Sequence, residues 1–253
     1  ILIHAGDYSS TGTLQETTSF IKWFDSLSSY SSKIFIAGNH DTTIDTAYYC
    51  NRGAARFHRQ SKKMTPNEIE SYSKECRELL ITSSQSKYLE DSEHMIHYQP
   101  NNSNDDSPLH SFKVYGSPWQ PEFCDWAFNL DRGPEIRKYW EMIPHDTDIL
   151  ITHGPPLGFG DLTADGFRCG CSDLLDIVLE HPPRVHIFGH IHEAYGSWSN
   201  EKTLFVNPST CTYHYRPTNE PIVIFLPFDK SLPAERIDPQ YPPPPSGSQE
   251  SAK

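Results

Sequence analysis

The sequence contains little positive charge and no long hydrophobic run. Its 21 lysine and arginine residues are outnumbered by 33 aspartate and glutamate residues, and the net charge is −12 at pH 7. An acidic surface repels polyanions, so we expect neither a nucleic-acid polymer nor a membrane among the partners. The chain also lacks the run of about 18 apolar residues that a membrane-spanning helix requires. The shortage of positive charge and the absence of a long apolar run together favour a small-molecule partner.

Cysteine is sparse, and its spacing fits no structural zinc site. Among the six cysteines the one close pair is Cys169 and Cys171, and a separation of two positions is not that of a zinc knuckle. We therefore expect reduced and mostly buried cysteines, which are typical of a cytoplasmic protein.

The chain lacks an initial methionine, and its first residues already have the character of a strand. Ile1-Leu2-Ile3 resembles the middle of a β-strand. We therefore expect a fragment whose N-terminal segment is missing. Any targeting signal would be lost with that segment, so the expected cytoplasmic location rests on the cysteines alone.

The first forty residues predict a βαβ unit. An apolar run at 1–5 precedes a helical stripe that begins near Leu14, and a second apolar run follows at 33–37. The two strands of such a unit lie parallel, and open α/β sheets bind their ligands at the carboxyl ends of the strands.

The remainder of the chain alternates between short apolar runs and helical patterns. Residues 42–64 are polar and predict an irregular segment, whereas Thr65-Pro66-Asn67-Glu68 has the pattern of a helix N-terminus. Residues 101–108 predict a loop, and the proline-rich residues 229–253 predict a disordered tail. Further strands are expected at 112–115, 148–152, 185–188, 204–206 and 222–226, and helices near 134–141 and 172–180.

Four short polar motifs each follow an apolar run, in positions where a packed core would exclude polar side chains. A single aspartate or histidine in such a place is more often a turn or structural residue, but a series of four favours a shared site. The motifs offer a carboxylate, an amide oxygen and imidazoles, which suit divalent metal ions. They are Gly6-Asp7, Gly38-Asn39-His40-Asp41, Thr152-His153-Gly154 and Gly189-His190-Ile191-His192.

This set of motifs resembles the calcineurin-like metallophosphoesterase superfamily. The longer strings at 2–7, 115–121, 152–156 and 188–193 resemble a narrower branch, the metallophosphoesterase-domain-containing (MPPED-type) phosphodiesterases. The resemblance covers about residues 1–226, is specific in these strings and is weak over 42–110.

The resemblance implies a role for each residue of the motifs. Asp7 would bridge two divalent ions, such as Mn, Fe or Zn. Asn39, His153 and His190 would complete one metal site, and His192 would serve the other. Asp7 and His40 are the expected catalytic residues, because His40 would stabilise or protonate the leaving-group oxygen. A hydroxide that bridges the ions would attack the phosphorus in line.

Two departures from the superfamily pattern matter. The Asp-x-His motif that normally supplies two ligands to the first metal is missing, which fits an N-terminally truncated domain. The Gly-Asp-x-x-Asp-Arg-Gly motif of protein serine/threonine phosphatases is also absent, because Gly6-Asp7 continues as Tyr8-Ser9-Ser10-Thr11-Gly12. The second absence disfavours a protein-phosphatase interpretation.

Two features remain open to alternative interpretations. Asp41 could orient His40 or simply form a turn. The aromatic segments at 117–119 and 126–128 could stack on a base, although core and loop packing is the favoured explanation.

Together these observations predict an α/β fold, a metallophosphoesterase-type sandwich of two mixed β-sheets flanked by helices, over residues 1–228. The expected function is metal-dependent hydrolysis of a small phosphodiester, such as a cyclic nucleotide. The alternative is a regulatory module on the same scaffold that binds a nucleotide or metal with little turnover.

Overall fold

The computed structural model describes residues 1–99 and 109–237 of the chain. The predicted loop at 101–108 and the last part of the predicted tail, 238–253, lie outside these residues. All six cysteines lie within them and are free thiols. No helix in the described ranges is long and apolar enough to cross a membrane.

The chain contains both helices and strands, as the sequence predicts. The helices are α1 (Leu14–Ser26), α2 (Thr46–Tyr48), α3 (Ala54–Phe57), α4 (Pro66–Thr82), α5 (Pro134–Trp140) and α6 (Ser172–Glu180). The strands are β1 (Leu2–Ala5), β2 (Lys33–Ile36), β3 (Lys87–Tyr88), β4 (Ser92–Tyr98), β5 (His110–Ser117), β6 (Gln120–Pro121), β7 (Asn129–Leu130), β8 (Ile149–Thr152), β9 (Val185–Ile187), β10 (Gly196–Ser199), β11 (Leu204–Asn207), β12 (Val223–Phe225) and β13 (Glu235–Ile237).

Two sheets form the body of the fold. The smaller sheet has the order β1-β2-β3, and the larger has the order β10-β11-β9-β8-β5-β4. Strands β1 and β2 lie parallel, which confirms the predicted βαβ unit. The smaller sheet is parallel throughout rather than mixed, because β3 also runs parallel to β2. The larger sheet is mixed, since β4 and β10 are antiparallel to their neighbours.

Side-chain alternation along the strands builds a layered sandwich. Ile34 and Ile36 of β2 share one apolar cluster with Ile149 and Ile151 of β8, which places this cluster between the two sheets. The intervening Leu150 points to the other face, where it packs in a cluster with residues of α5 and α6. The outer face of the smaller sheet packs against α1 and α4 in the same way. This alternation has the period of two that strands impose.

The two long helices begin at reciprocal side-chain caps. Thr13 and Glu16 form a capping box at the start of α1, and Thr65 and Glu68 form one at α4. In each box the threonine hydroxyl accepts from the glutamate N–H, and the glutamate carboxylate accepts from the threonine N–H. The helix start predicted at Thr65, with Pro66 in the first helical position, is therefore confirmed.

Two expectations about chain organisation were wrong, and one long strand was not predicted. Residues 42–64 are not irregular, because they contain α2, a π-helical turn (Tyr49–Gly53), α3 and a 3₁₀ turn (Arg59–Lys63). Strand β4 escaped prediction because only Ile96 of its seven residues is buried, so its hydrophobic pattern is weak. The predicted tail begins too early at 229, since β13 pairs antiparallel with β12.

The layered core predicts unequal costs for one substitution at two leucines. Leu150 is fully buried, so Leu150→Ala should lower the free energy of unfolding by about 2–5 kcal/mol. Leu179 on α6 is 53% exposed, so Leu179→Ala should cost less than about 1 kcal/mol. Urea denaturation of the two variants measures both values, and equal losses would contradict this assignment of the core.

Candidate metal centre

The parallel strands bring four predicted ligand residues together at one edge of the sandwich. Asp7 and Asn39 follow β1 and β2, whereas His153 and His190 follow β8 and β9. Ligand atoms of Asp7, His153 and His190 lie within 4.8 Å of one another. Asn39 Oδ1 lies 2.9 Å from His153 Nε2 and 3.0 Å from His190 Nδ1. Residues that are far apart in the sequence thus share one small space.

The glycines of the motifs permit this close approach. Gly6 has φ +92°, and a Cβ atom there would lie 2.6 Å from His153 Nδ1 and 2.7 Å from the Ala37 carbonyl oxygen. A Cβ atom on Gly38 would collide with the Asp7 carboxylate. Both positions therefore require glycine, which is a physical reason for the pattern Gly-Asp and Gly-Asn-His-Asp.

Two of the clustered residues have strained backbones. Asp7 has φ 57° and His190 has φ 66°, both in the left-handed region that non-glycine residues rarely adopt. Strain of this kind persists only where the surroundings hold the residue firmly, and it is common at ligand sites. The strain at Asp7 and His190 is therefore consistent with a functional site at this edge.

A backbone carbonyl determines the tautomer of His153. Its Nδ1–H donates to the Ala5 carbonyl at 2.9 Å, which leaves Nε2 unprotonated in the neutral ring. That nitrogen faces two oxygen acceptors, Asn39 Oδ1 at 2.9 Å and Asp7 Oδ2 at 3.3 Å. Three lone-pair donors then face one another, and either a proton on Nε2 or a metal ion between them would satisfy the arrangement.

The pKa shifts of Asp7 and His153 also indicate that positive charge is favoured between these side chains. Burial opposes protonation of His153, but Asp7 and the Ala5 carbonyl outweigh it and raise the pKa of the imidazole. Burial alone would raise the pKa of Asp7, yet His153 and the His40 backbone N–H hold that pKa well below its usual range. Burial, aided by His153, lowers the pKa of His190 to about 3, so this ring stays neutral. A divalent ion would supply this positive charge in place of the proton on His153, because metal ions bind ionised carboxylates and neutral imidazoles.

The donor set therefore fits a divalent metal ion. It combines one carboxylate, one amide oxygen and two imidazoles, a mixture suited to ions such as Zn, Fe or Mn. Asn39 and His153 are almost completely buried, so the protein itself must hold these polar atoms in place.

Asp41 organises the two loops that carry Asp7 and Asn39. Its buried carboxylate accepts from the backbone N–H groups of Asp7, Ser9 and Gly38 at 2.9, 3.1 and 2.7 Å, and from the Ser9 hydroxyl at 2.6 Å. Burial and the Asp7 carboxylate raise the pKa of Asp41 to about 7, whereas the donors from Ser9 and Gly38 oppose that shift. Of the two roles considered for Asp41, the structure favours the structural one.

His40 lies at the rim of the cluster, held by contacts other than Asp41. Its ring Nδ1 bonds to the Ser10 carbonyl at 2.9 Å, and its backbone N–H donates to Asp7 Oδ1 at 2.9 Å. The ring packs against Trp126 with 4.2 Å between centroids. Sequence reasoning missed the orienting role of Ser10, because a backbone carbonyl leaves no signal in residue type.

His192 lies beside the cluster but outside it. The group of ligand atoms within 4.8 Å, taken over the described residues, contains Asp7, His153 and His190 and does not include His192. His192 begins a 3₁₀ turn and packs against Tyr215 with 5.1 Å between centroids. It lines the same cavity of about 460 Å³ as Asp7 and the two clustered histidines. The role of His192 as a ligand of a separate ion stays a prediction.

Comparison with known families matches this geometry to a group of proteins. The model of the family described as calcineurin-like phosphoesterase matches residues 1–194. The human and mouse proteins named metallophosphoesterase domain-containing protein 1 are each 42% identical to the chain over 231 residues. Those residues are 90% of this chain, and the chain spans 64% of the length of these relatives.

One solved structure matches the chain at low sequence identity. The phosphopantetheinyl hydrolase PptH of Mycobacterium tuberculosis is 14% identical, with a TM-score of 0.49. The match covers 96% of this chain and 88% of that protein.

The cluster predicts that loss of His153 weakens metal binding. His153→Ala should raise the Kd for Mn²⁺ by more than about tenfold. Changing a residue that only supports a metal ligand already costs about 10–100-fold in affinity, and loss of the ligand itself should cost at least as much. His97→Ala is the matched control, because His97 is exposed on β4. Calorimetric titration of the metal-free protein measures both constants. An unchanged Kd in His153→Ala would exclude this residue as a ligand.

Proposed function

We propose a function from one premise: this chain belongs to the calcineurin-like phosphoesterase family. The protein is a metal-dependent phosphoesterase that hydrolyses a small phosphodiester, such as a cyclic nucleotide. The observation that carries this proposal is the convergence of Asp7, Asn39, His153 and His190 at the carboxyl ends of four strands.

Each clustered residue has a role that its contacts support. Asn39, His153 and His190 would hold one divalent ion, and Asp7 would offer its carboxylate to that ion and to a second one. His192, which lines the same cavity, would serve the second ion. Divalent ions held there would activate water for attack and neutralise the charge that develops on the phosphoryl oxygens.

His40 is the residue placed to assist the leaving group. The Ser10 carbonyl accepts from its Nδ1–H, so the proton delivered to the departing oxygen is the second one, which the protonated ring carries on Nε2. The bond from the His40 backbone N–H to Asp7 keeps the ring beside the metal ligands. His40 is also more exposed than Asn39 and His153, as a group that meets the substrate must be.

The arginines near the site are already paired within the protein, which favours a diester substrate over a monoester. The loop after Asp7 supplies hydroxyl groups instead of the arginine of protein phosphatases. Arg52 is paired with Asp125, and Arg56 donates to the carbonyl groups of Cys124 and Asp125, so neither is directed at a phosphate. A monoanionic diester needs less fixed countercharge than a dianionic monoester. A net charge of −12 further favours a small substrate over a polyanion.

A binding module with little turnover is the second candidate function. It requires the pocket and the buried donors but not the role of His40. Metal content measured together with turnover separates the two, because an enzyme needs bound ions and hydrolyses many substrate molecules per site.

The charge argument predicts substrate preference. The full-length protein should cleave an aryl phosphodiester with a higher kcat/KM than a phosphoserine peptide, because the monoester brings one more unmatched negative charge. Steady-state kinetics on both substrates, with and without a chelator, test this expectation. Equal or reversed efficiencies would contradict the diester assignment, and activity that survives complete metal removal would contradict metal dependence.

The position of His40 predicts a dependence on the leaving group. His40→Ala should lower kcat by about 10²–10⁴ for a poor leaving group, because general-acid assistance contributes about that much. The loss should shrink across a series of aryl diesters as the phenol becomes more acidic, because a stable phenolate departs without a proton. His97→Ala should show neither effect. A loss that is the same for every leaving group would assign His40 another role.

A further inference from the structure

A serine lines the same cavity as the candidate metal ligands. Ser209 lies just after β11, and the cavity that it lines also contacts Asp7, His153, His190 and His192. We propose that Ser209 binds the substrate, with its hydroxyl group donating a hydrogen bond to a non-bridging phosphoryl oxygen. The proposal rests on the proposed function, because it assigns a further substrate-binding residue to the same site.

Two asparagine side chains fix the backbone of Ser209. The Ser209 N–H donates to Asn207 Oδ1 at 3.0 Å, and the Ser209 carbonyl accepts from Asn219 Nδ2 at 2.8 Å. Both polar groups of the Ser209 main chain are therefore bonded within the protein. Asn207 is fully buried, so this contact belongs to the core and not to the surface. Because the backbone is ordered before a ligand binds, a hydrogen bond from the side chain costs little further entropy.

Asn207 also connects Ser209 to the loop that carries two of the expected ligands. Asn207 Nδ2 donates to the Ile191 carbonyl at 2.8 Å. Ile191 lies between the two histidines of the loop 189–192. One buried side chain thus sets the position of Ser209 relative to the candidate metal centre.

The hydroxyl group of Ser209 lies beside the residue that precedes His190. A Cβ atom built on Gly189 would lie 3.8 Å from Ser209 Oγ and 3.6 Å from the Ala5 carbonyl oxygen. That carbonyl is the group that accepts from His153 Nδ1. The Ser209 hydroxyl is therefore close to the backbone that positions the candidate ligands.

This hydroxyl group is available to a ligand. Within residues 1–99 and 109–237 it has no hydrogen-bond partner, although the N–H and the carbonyl of Ser209 are both bonded. It is not one of the buried polar atoms that lack a partner, and Ser209 is only partly buried, so the hydroxyl is accessible. A fixed backbone with an accessible and unpaired donor, on the wall of a cavity with convergent polar groups, is typical of a binding residue.

The chemistry of the cavity favours an anionic oxygen as the acceptor. A phosphodiester has two non-bridging oxygens that share one negative charge. With one of them directed at the candidate ligands, the other needs a donor from the protein, because an anionic oxygen that leaves water without a hydrogen bond is costly. A hydroxyl group is a neutral donor, and its hydrogen bond to an ionised acceptor is stronger than one to a neutral acceptor. Ser209 therefore suits a monoanionic diester without adding positive charge.

Calorimetric titration of inorganic phosphate into the metal-loaded full-length protein tests the contact. Ser209→Ala should weaken phosphate binding by about tenfold or more, the size expected for a hydrogen bond to a charged acceptor. Ser209→Thr keeps the hydroxyl group and should retain most of the affinity. Ser199→Ala is the matched control, because Ser199 is exposed on β10. Equal phosphate affinities of Ser209→Ala and the wild type would overturn the proposal.

Asn219 is a positioning residue in this proposal, and its effect should depend on Ser209. Asn219→Ala removes one of the two bonds that fix the Ser209 backbone, so it should weaken phosphate binding severalfold. In the Ser209→Ala background the same change should have little effect, because no hydroxyl group remains to be positioned. Equal losses in both backgrounds would contradict the positioning role.

The outcomes separate this contact from the proposed function. Phosphate binding and diester hydrolysis that are both unchanged in Ser209→Ala would overturn the contact alone. Weaker diester affinity with unchanged phosphate affinity would also overturn it, because Ser209 would then contact an ester group. Loss of bound metal in Ser209→Ala would overturn it in favour of a supporting role in the metal centre. A metal-loaded wild type that neither binds phosphate nor hydrolyses a diester would contradict the proposed function and the contact together. Phosphate binding that requires Ser209, without hydrolysis of any diester, would support the contact and the binding-module alternative.

Discussion

The candidate site depends on one buried carboxylate that accepts four hydrogen bonds. Asp41 ties the loop after β1 to the loop after β2, and through them it sets the positions of Asp7 and Asn39. The smaller sheet thus presents its two oxygen donors as one unit. The larger sheet supplies His153 and His190, and the apolar cluster between the sheets brings the two halves together. The arrangement of the candidate ligands is therefore a property of the sandwich and not of any single loop.

The sequence predicts those parts of the molecule that are determined by a pattern within a few consecutive residues. Apolar runs mark β1, β2, β8 and β9, and the parallel arrangement of a βαβ unit then places the polar motifs at one edge. The helix start at Thr65 was predictable because a capping box lies within four consecutive residues. The four motifs follow the strands directly, so the proximity of Asp7, Asn39, His153 and His190 could be anticipated before any coordinates were known.

The features that the sequence does not predict are those that arise from tertiary contacts. The helical turns over 42–64 are polar, and they are stabilised partly by contacts with Asp125, which lies about seventy residues further along the chain. Strand β4 exposes most of its side chains but pairs with β5 through seven residues. The orienting roles of Ser10 and Ala5 belong to backbone carbonyls. Trp126 has the composition of an ordinary loop aromatic, and only its position against His40 distinguishes it.

Residues 48–56 hold the 123–126 loop in place, so the surface beside His40 and the cluster of candidate ligands come from different parts of the chain. The four clustered residues of the candidate metal centre follow core strands. The surface beside His40 is built from separate peripheral segments that the core does not require. During evolution such segments can diverge while the reactive centre stays intact, so relatives with the same donors need not share a substrate. For a protein engineer, the helical segment and this loop form a natural unit to exchange together. Transplanting either one alone would separate Arg56 from its carbonyl partners and Arg52 from the Asp125 carboxylate.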